Sequence, residues 1–140
     1  MLQNIYNQRI TIINKLKRVD SKTGLDVWYK HTVDNVAWYT DSARSASASS
    51  VFIGTYITVL MPFNDKYMQY KKWKTGGNVD EYFTISNSDY IVLGDVEEDI
   101  TASNVIATMQ KYEPDVCQVK HIQELHDRFN ATVQLKIEGV

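Results

Sequence analysis

The chain has few residues that form disulfides or interrupt secondary structure, and its net charge is small. Its 140 residues include one cysteine, two prolines and six glycines, and the formal net charge is −2. A lone cysteine, Cys117, excludes an internal disulfide and indicates a reducing compartment, where we expect a packed and unreactive thiol. The small net charge gives no strong overall field for nucleic acid or anionic lipid. No apolar run approaches the ~20 residues that span a bilayer, so we expect no membrane partner.

What remains is the composition of one ordinary globular domain. Hydrophobic residues make up 44% and charged residues 23% of the chain, and a chain of this length can bury a core without staples. The sequence therefore predicts a single domain over residues 1–140. Residues 1–6 have neither a basic start nor an apolar core, so we expect no signal peptide and synthesis in a cytoplasm.

Strand patterns dominate the chain, because β-branched and aromatic residues cluster in short runs between turn signals. We predict strands over residues 6–14, 25–33, 36–39, 51–61, 82–85, 90–93, 116–124 and 131–138. Residues 51–61 are apolar on both faces, so this strand should be central. One helix should run from Thr101 or Ser103 to Tyr112, with Val105, Ile106 and Met109 on one face. The fold class is mostly β: a small β-barrel or sandwich with one short α-helix and two long loops.

Residues 80–101 organise the predicted fold. The strands over residues 82–85 and 90–93 flank the polar turn cluster at residues 86–89, and Gly94 and an acidic run follow. We expect a hairpin whose second strand is largely buried. This stretch contains no nucleophile motif, metal-ligand spacing or phosphate loop, and therefore indicates a scaffold.

The first long connection, residues 40–50, contains no large apolar side chain. Burial cannot offset the entropy of ordering such a segment, so we predict a long, mobile loop inside the domain. The candidate functional residues of this loop are Thr40, Asp41, Ser42, Arg44, Ser45, Ser47, Ser49 and Ser50.

The second long connection, residues 63–79, mixes aromatic and basic side chains. It could stack on and neutralise a nucleic acid strand, anchor a protein interface, or fold back over the core with its lysines outward. Its candidate interface residues are Tyr67, Tyr70, Lys71, Lys72, Trp73 and Lys74.

An acidic run follows Gly94 and supplies four further interface candidates: Asp95, Glu97, Glu98 and Asp99. The run lacks the alternating ligands and turn glycine of a calcium loop, so it predicts a solvated bend. Its charge is opposite to that of residues 63–79, and such a pair favours head-to-tail contacts in a ring of identical subunits.

The three histidines predict no metal centre. His121 and His126 are five residues apart and do not share a strand face, and His31 stands alone. We therefore expect no catalytic residues, no metal and no cofactor, and a protein that is not an enzyme.

The order of several short motifs resembles a known family. Residues 9–12 read Arg-Ile-Thr-Ile, Trp28 follows a turn, residues 36–39 read Val-Ala-Trp-Tyr, and a long polar loop comes next. Residues 83–94 then read Phe-Thr-Ile-x-x-x-Asp-x-Ile-Val-x-Gly. This order is similar to small head–tail connector proteins of long-tailed phages and prophages, and is closest to the head-closure, or stopper, type.

The resemblance implies a small β-barrel that assembles with copies of itself as a ring in the neck of a virion. It implies adjacent neck or tail proteins as partners, and a loop, here residues 40–50, that gates double-stranded DNA in the channel. The insertion at residues 63–79 and the late helix depart from the shortest stoppers. They leave open a tail terminator or another tail-end protein, and the basic aromatic residues leave open a single-strand nucleic-acid-binding barrel.

Overall fold

A computed structural model of the protein describes residues 5–46, 51–129 and 132–140. In these ranges the chain forms six strands and two short helices. The strands are β1 (Gln8–Leu16), β2 (Val27–Ala46), β3 (Val51–Pro62), β4 (Tyr90–Leu93), β5 (Val116–His126) and β6 (Thr132–Gly139). The helices are α1 (Tyr70–Thr75) and α2 (Val105–Lys111).

The strands close into a barrel in the order β1-β2-β3-β6-β5-β4, with every neighbouring pair antiparallel. The predicted mostly-β class and the barrel are therefore confirmed. The predicted central place of residues 51–61 holds only from Ile57 onward, where β3 pairs with both β2 and β6; residues 51–56 pair with β2 alone.

Period-two alternation fills the barrel interior. Ile10 and Ile12 of β1 pack with Ile91 of β4 and with apolar residues of every other strand in one buried cluster. Cys117 belongs to this cluster, and burial raises the pKa of its thiol to about 12. The prediction of a packed, unreactive cysteine is therefore confirmed.

A second apolar cluster covers the outer face of the barrel beside α2. Ile13 and Val92, which alternate with the inward residues of β1 and β4, pack with Val105 and Met109 of the helix. Ile106, in contrast, is 66% exposed. The prediction that it shares the buried face was wrong. Successive residues of an α-helix are rotated by about 100°, which places the Ile106 side chain outside the contact between α2 and the barrel.

The ends of α2 also differ from the prediction. Asn104 precedes the helix, and neither Thr101 nor Ser103 takes that position. The Asn104 side chain instead accepts a hydrogen bond from the backbone N–H of Thr101 at 2.8 Å. A further helix, α1, lies in the connection that we predicted to be a loop over residues 63–79.

Residues 25–33 and 36–39 form one strand, not the two that we predicted. Asn35 adopts a φ of 62° inside β2, and the pairing register shifts between Gln8 and Ile10 of β1. Beyond Val36, β2 leaves β1 and pairs with β3. The positive φ, which asparagine tolerates, therefore kinks a continuous strand and does not turn the chain back.

The predicted hairpin of residues 82–85 and 90–93 does not form. Residues 90–93 are strand β4, but its partners are β1 and β5. Phe83 makes only an isolated bridge with Tyr67. The physical reason is a contact between residues far apart in the sequence. The side-chain amide of Asn14 forms hydrogen bonds with both the N–H and the carbonyl of Thr84, so these groups are not available to a hairpin partner.

Candidate functional site

The hairpin of β2 and β3 continues past the end of the β3–β6 pairing. The two strands pair over ten positions, from Ala37↔Leu60 to Ala46↔Val51. β3 pairs with β6 only over Ile57–Pro62. Six ladder pairs, from Asp41↔Tyr56 outward, therefore lie beyond the barrel wall. We call these paired segments, residues 41–46 and 51–56, the ribbon; at about 3.3 Å per residue it extends roughly 20 Å.

The ribbon corrects the prediction of a mobile loop over residues 40–50. Residues 40–46 are strand, with Thr40 at the base and Asp41, Ser42, Arg44 and Ser45 on the ribbon. Ser47, Ser49 and Ser50 lie outside the described residues. The prediction was wrong for residues 40–46 because their backbone pairs with β3, a strand of high β propensity, and this pairing orders them without burial of large side chains.

Both outer edges of the ribbon present backbone groups. Among the described residues, no third strand pairs with residues 41–46 or 51–56. A two-stranded hairpin is marginally stable by itself in water, and unpaired strand edges are templates for another strand. The edges of the ribbon are therefore open to pairing with a further strand.

Two aromatic side chains of residues 63–79, those of Trp73 and Tyr67, pack against the barrel cluster or hydrogen-bond to other parts of the chain, whereas Phe63 is exposed. Trp73 is 1% exposed, and its indole N–H donates to the carbonyl of Tyr82 at 2.8 Å. The Tyr67 hydroxyl donates to Glu124 at 3.0 Å. The prediction that this segment folds back over the core is thus confirmed for Trp73. The alternative predictions, that Trp73 is an exposed interface anchor or a stacking platform, were wrong because its ring is buried in the core.

Helix α1 is fastened to the turn between β1 and β2. The hydroxyl of Tyr70 donates to Asp20 at 2.7 Å and accepts from the backbone N–H of Lys17 at 3.2 Å. Lys74 pairs with Asp20 at 2.9 Å. Hydrogen bonds from Lys74 and Tyr70 lower the pKa of Asp20, while burial raises the pKa of Tyr70 to about 12. Lys71 and Lys72 remain exposed on the helix.

The acidic bend is largely neutralised within the chain. Asp95 pairs with Arg9 at 2.9 Å, and Asp99 lies 3.9 Å from Lys30. Glu98 accepts hydrogen bonds from Lys111 and from Tyr112, which lower its pKa to about 2. Glu97 is exposed, and its backbone N–H donates to the Tyr112 hydroxyl at 3.4 Å. Three of the four predicted interface acids therefore already have cationic partners.

A buried polar cluster that the sequence analysis did not single out joins β1 to residues 84–89. Asn14 is fully buried, and its amide donates to the Thr84 carbonyl at 2.5 Å and to the Asp89 carboxylate at 2.9 Å. The backbone N–H groups of Lys15 and Ser86 donate to the same carboxylate at 3.1 and 3.0 Å. The only local signal was a polar residue at the end of an apolar strand.

Comparison with known families covers almost all of the described fold. A family model described as "Family of unknown function (DUF6751)" matches residues 5–140. The chain belongs to this family. The match includes the barrel, both helices and the ribbon. No curated protein and no solved structure matches the chain.

Two further features of this DUF6751 member bear on its chemistry. Within the described residues, no three histidine, cysteine, aspartate or glutamate side chains are grouped so that they could hold a metal ion. His31 is buried against Phe83, with ring centroids 6.3 Å apart, and burial lowers its pKa.

Neither helix that the structure describes has the length and apolar character needed to cross a membrane.

Asp89 gives the fold of this DUF6751 member a pH dependence. Burial raises the pKa of Asp89 from 3.8 to about 7, although the three hydrogen bonds to its carboxylate act to lower it. The folded chain therefore holds the proton more tightly than the unfolded chain, and this stabilisation is lost as the pH rises through about 7. We expect the free energy of unfolding of the wild type, minus that of Asp89→Asn, to fall between about pH 4 and pH 7 and to level off above pH 7. Urea unfolding at each pH measures it; a flat or rising difference contradicts it.

Proposed function

We propose that this protein is a ring-forming structural protein of the stopper type at the head–tail junction of a long-tailed phage or prophage. Copies of the barrel form the ring, and their ribbons line or close the channel through which double-stranded DNA passes. One observation carries the proposal: six ladder pairs of a two-stranded ribbon, whose first strand is polar, project from a closed barrel.

A closed barrel directs association to the ribbon. Closure gives every barrel strand two neighbours, and the ribbon adds two long edges of unpaired backbone beyond the wall. In a ring, every ribbon meets an equivalent ribbon on each side. Backbone pairing between neighbours then provides the third strand that an isolated hairpin lacks.

The composition of the segment suits a crowded axis. Residues 40–50 are mostly serine and alanine, with one arginine and one aspartate. Small side chains let several strands approach one another around a narrow channel. Such strands pair through their backbones, so the same segment can meet copies of itself without a dedicated pocket for each side chain.

The single-strand-binding alternative draws less support. Its stacking platforms were Tyr67, Tyr70 and Trp73. The ring of Trp73 is buried, and the hydroxyl groups of both tyrosines are bonded to carboxylates of the same chain. Base stacking needs exposed ring faces, which Trp73 does not offer.

Localisation in particles tests the proposal and separates it from the tail-terminator alternative. The experiment tags the chain at its N-terminus in a host that produces the particles, and separates filled heads without tails, tails without heads, and whole virions. We expect immunogold label at the head–tail junction of virions and on filled heads without tails. Label on free tails alone would indicate a tail terminator, and particles without the protein would contradict a neck role altogether.

A further inference from the structure

The fold brings together two basic segments that lie about fifty residues apart in the sequence. The turn between β1 and β2, with the end of β1, carries four cations, and α1 carries three. The Tyr70 hydroxyl, hydrogen-bonded to Lys17 and Asp20, holds the two segments side by side. We call the combined surface the basic face; its cations are Lys15, Lys17, Arg18, Lys22, Lys71, Lys72 and Lys74.

Most of this charge is not neutralised within the chain. The two acids of these segments are Asp20, which pairs with Lys74 at 2.9 Å, and Asp26, which lies 3.5 Å from Lys15. Among the residues that the structure describes, no acid pairs with the other five cations of the basic face within 4.0 Å. A chain of net charge −2 thus concentrates positive charge on one side.

A cleft of about 600 Å³ opens on the basic face. Lys15, Lys17 and Arg18 line one side of it, and residues 86–89 line the other. The Ser86 hydroxyl oxygen is buried and has no hydrogen-bond partner within the described part of the chain. The two carboxylates of the cleft are already engaged: Asp26 by Lys15 and the Arg18 backbone, Asp89 by the buried amide donors. Free donors and cations therefore face the cleft.

We propose that the basic face binds the phosphate backbone of double-stranded DNA, with one phosphate seated in the cleft against Ser86, Lys17 and Arg18. Phosphate oxygens accept hydrogen bonds from hydroxyl, ammonium and guanidinium donors, and these contacts position a protein on DNA without reading its sequence. The cations of α1 extend the surface past the cleft, so that it can contact more than one phosphate.

A duplex fits this surface better than a single strand does. Trp73 of α1 is buried, and the ammonium groups of Lys17 and Lys74 lie over the Tyr70 ring, 5.2 and 5.5 Å from its centroid. The face therefore offers charge without stacking platforms, and a duplex presents a dense row of phosphates with its bases already stacked. The acidic bend of another copy is a weaker partner, because Arg9, Lys30 and Lys111 already contact its acids.

The test measures binding of the full chain to a fluorescent 20-base-pair duplex by anisotropy between 50 and 200 mM salt. For contacts to three to five phosphates, log Kobs should fall against log salt with a slope of about −3 to −4.5. Each of Arg18→Gln, Lys71→Gln and Lys72→Gln should reduce the slope by about 1, and the triple variant should weaken binding more than tenfold. Thermal unfolding checks that each variant is folded.

Lys136→Gln is the matched control. It removes one lysine from β6, which lies directly opposite β1 in the barrel order, and it should leave both affinity and slope unchanged. The proposal is overturned if the triple variant binds like the wild type, or if Lys136→Gln weakens binding equally. It is also overturned if single-stranded DNA or poly-glutamate binds as tightly as the duplex.

This surface does not depend on ring formation, and the two proposals can fail separately. A folded chain that binds no duplex removes the basic face as a DNA contact but leaves the ribbon and the particle location untouched. A protein that binds duplex but is absent from particles removes the neck role and keeps the DNA surface.

Discussion

Replacing Asn14 by alanine should lower the free energy of unfolding by about 3–5 kcal/mol, because it leaves several buried polar groups without partners. The Asn14 amide bonds the N–H and the carbonyl of Thr84 and one oxygen of Asp89, and both residues are buried. Urea unfolding followed by tryptophan fluorescence measures the loss.

Asn78→Ala is the matched control, because it makes the same substitution at an exposed asparagine, directly before the turn at residues 79–81. We expect a change within about 0.5 kcal/mol there. A loss of less than about 1 kcal/mol for Asn14→Ala would show that packing of Phe83 and Ile85, and not the polar cluster, holds residues 82–89 against β1.

Shortening the ribbon should abolish DNA retention while leaving the barrel folded. The variant replaces residues 43–54 by Asn-Gly, which joins the directly paired Ser42 and Thr55 through a two-residue turn. The deletion leaves the pairing of β3 with β6 over Ile57–Pro62 and that of β2 with β1 intact. We therefore expect a melting temperature within a few degrees of the wild type, and at least a tenfold drop in the fraction of DNA-filled particles, measured by dye binding and electron microscopy.

A second variant tests residues 47–50, which connect the two strands of the ribbon, separately from the ribbon itself. Replacing residues 47–50 by Asn-Gly joins the paired Ala46 and Val51 and keeps all six ladder pairs of the ribbon. We expect this variant to retain most filled particles, since the backbone edges that meet neighbouring copies remain. Normal numbers of filled, infectious particles from the shorter variant, with the protein present in them, would refute the gate.

Local pattern predicted much of the barrel. Alternation marked the strands that pack one face inward, as Leu135 and Ile137 of β6 do, and the run at residues 90–93 forms β4 with the predicted bounds. Pro114 follows α2 as expected. These features depend on neighbours in sequence, because burial of one face imposes a period on the strand itself.

The candidate sites were harder to predict, since they depend on partners far along the chain. Whether residues 40–46 are strand is set by their pairing with residues 51–57, and the inward turn of Trp73 is set by Tyr82 and Tyr29. The basic face exists because Tyr70 reaches the turn at residues 17–20. Polar composition alone does not distinguish an unpaired loop from a paired ribbon.

The sequence by itself determined a mostly-β fold, its buried cysteine and the charges that it carries. Only the tertiary structure decided that a polar segment projects as a paired ribbon, that the acidic bend is neutralised, and that two basic segments form one face. The physical reason is distance along the chain. Apolar periodicity can be read from consecutive residues. Hydrogen bonds such as that between Asn14 and Thr84 join positions 70 residues apart, and no local pattern indicates them.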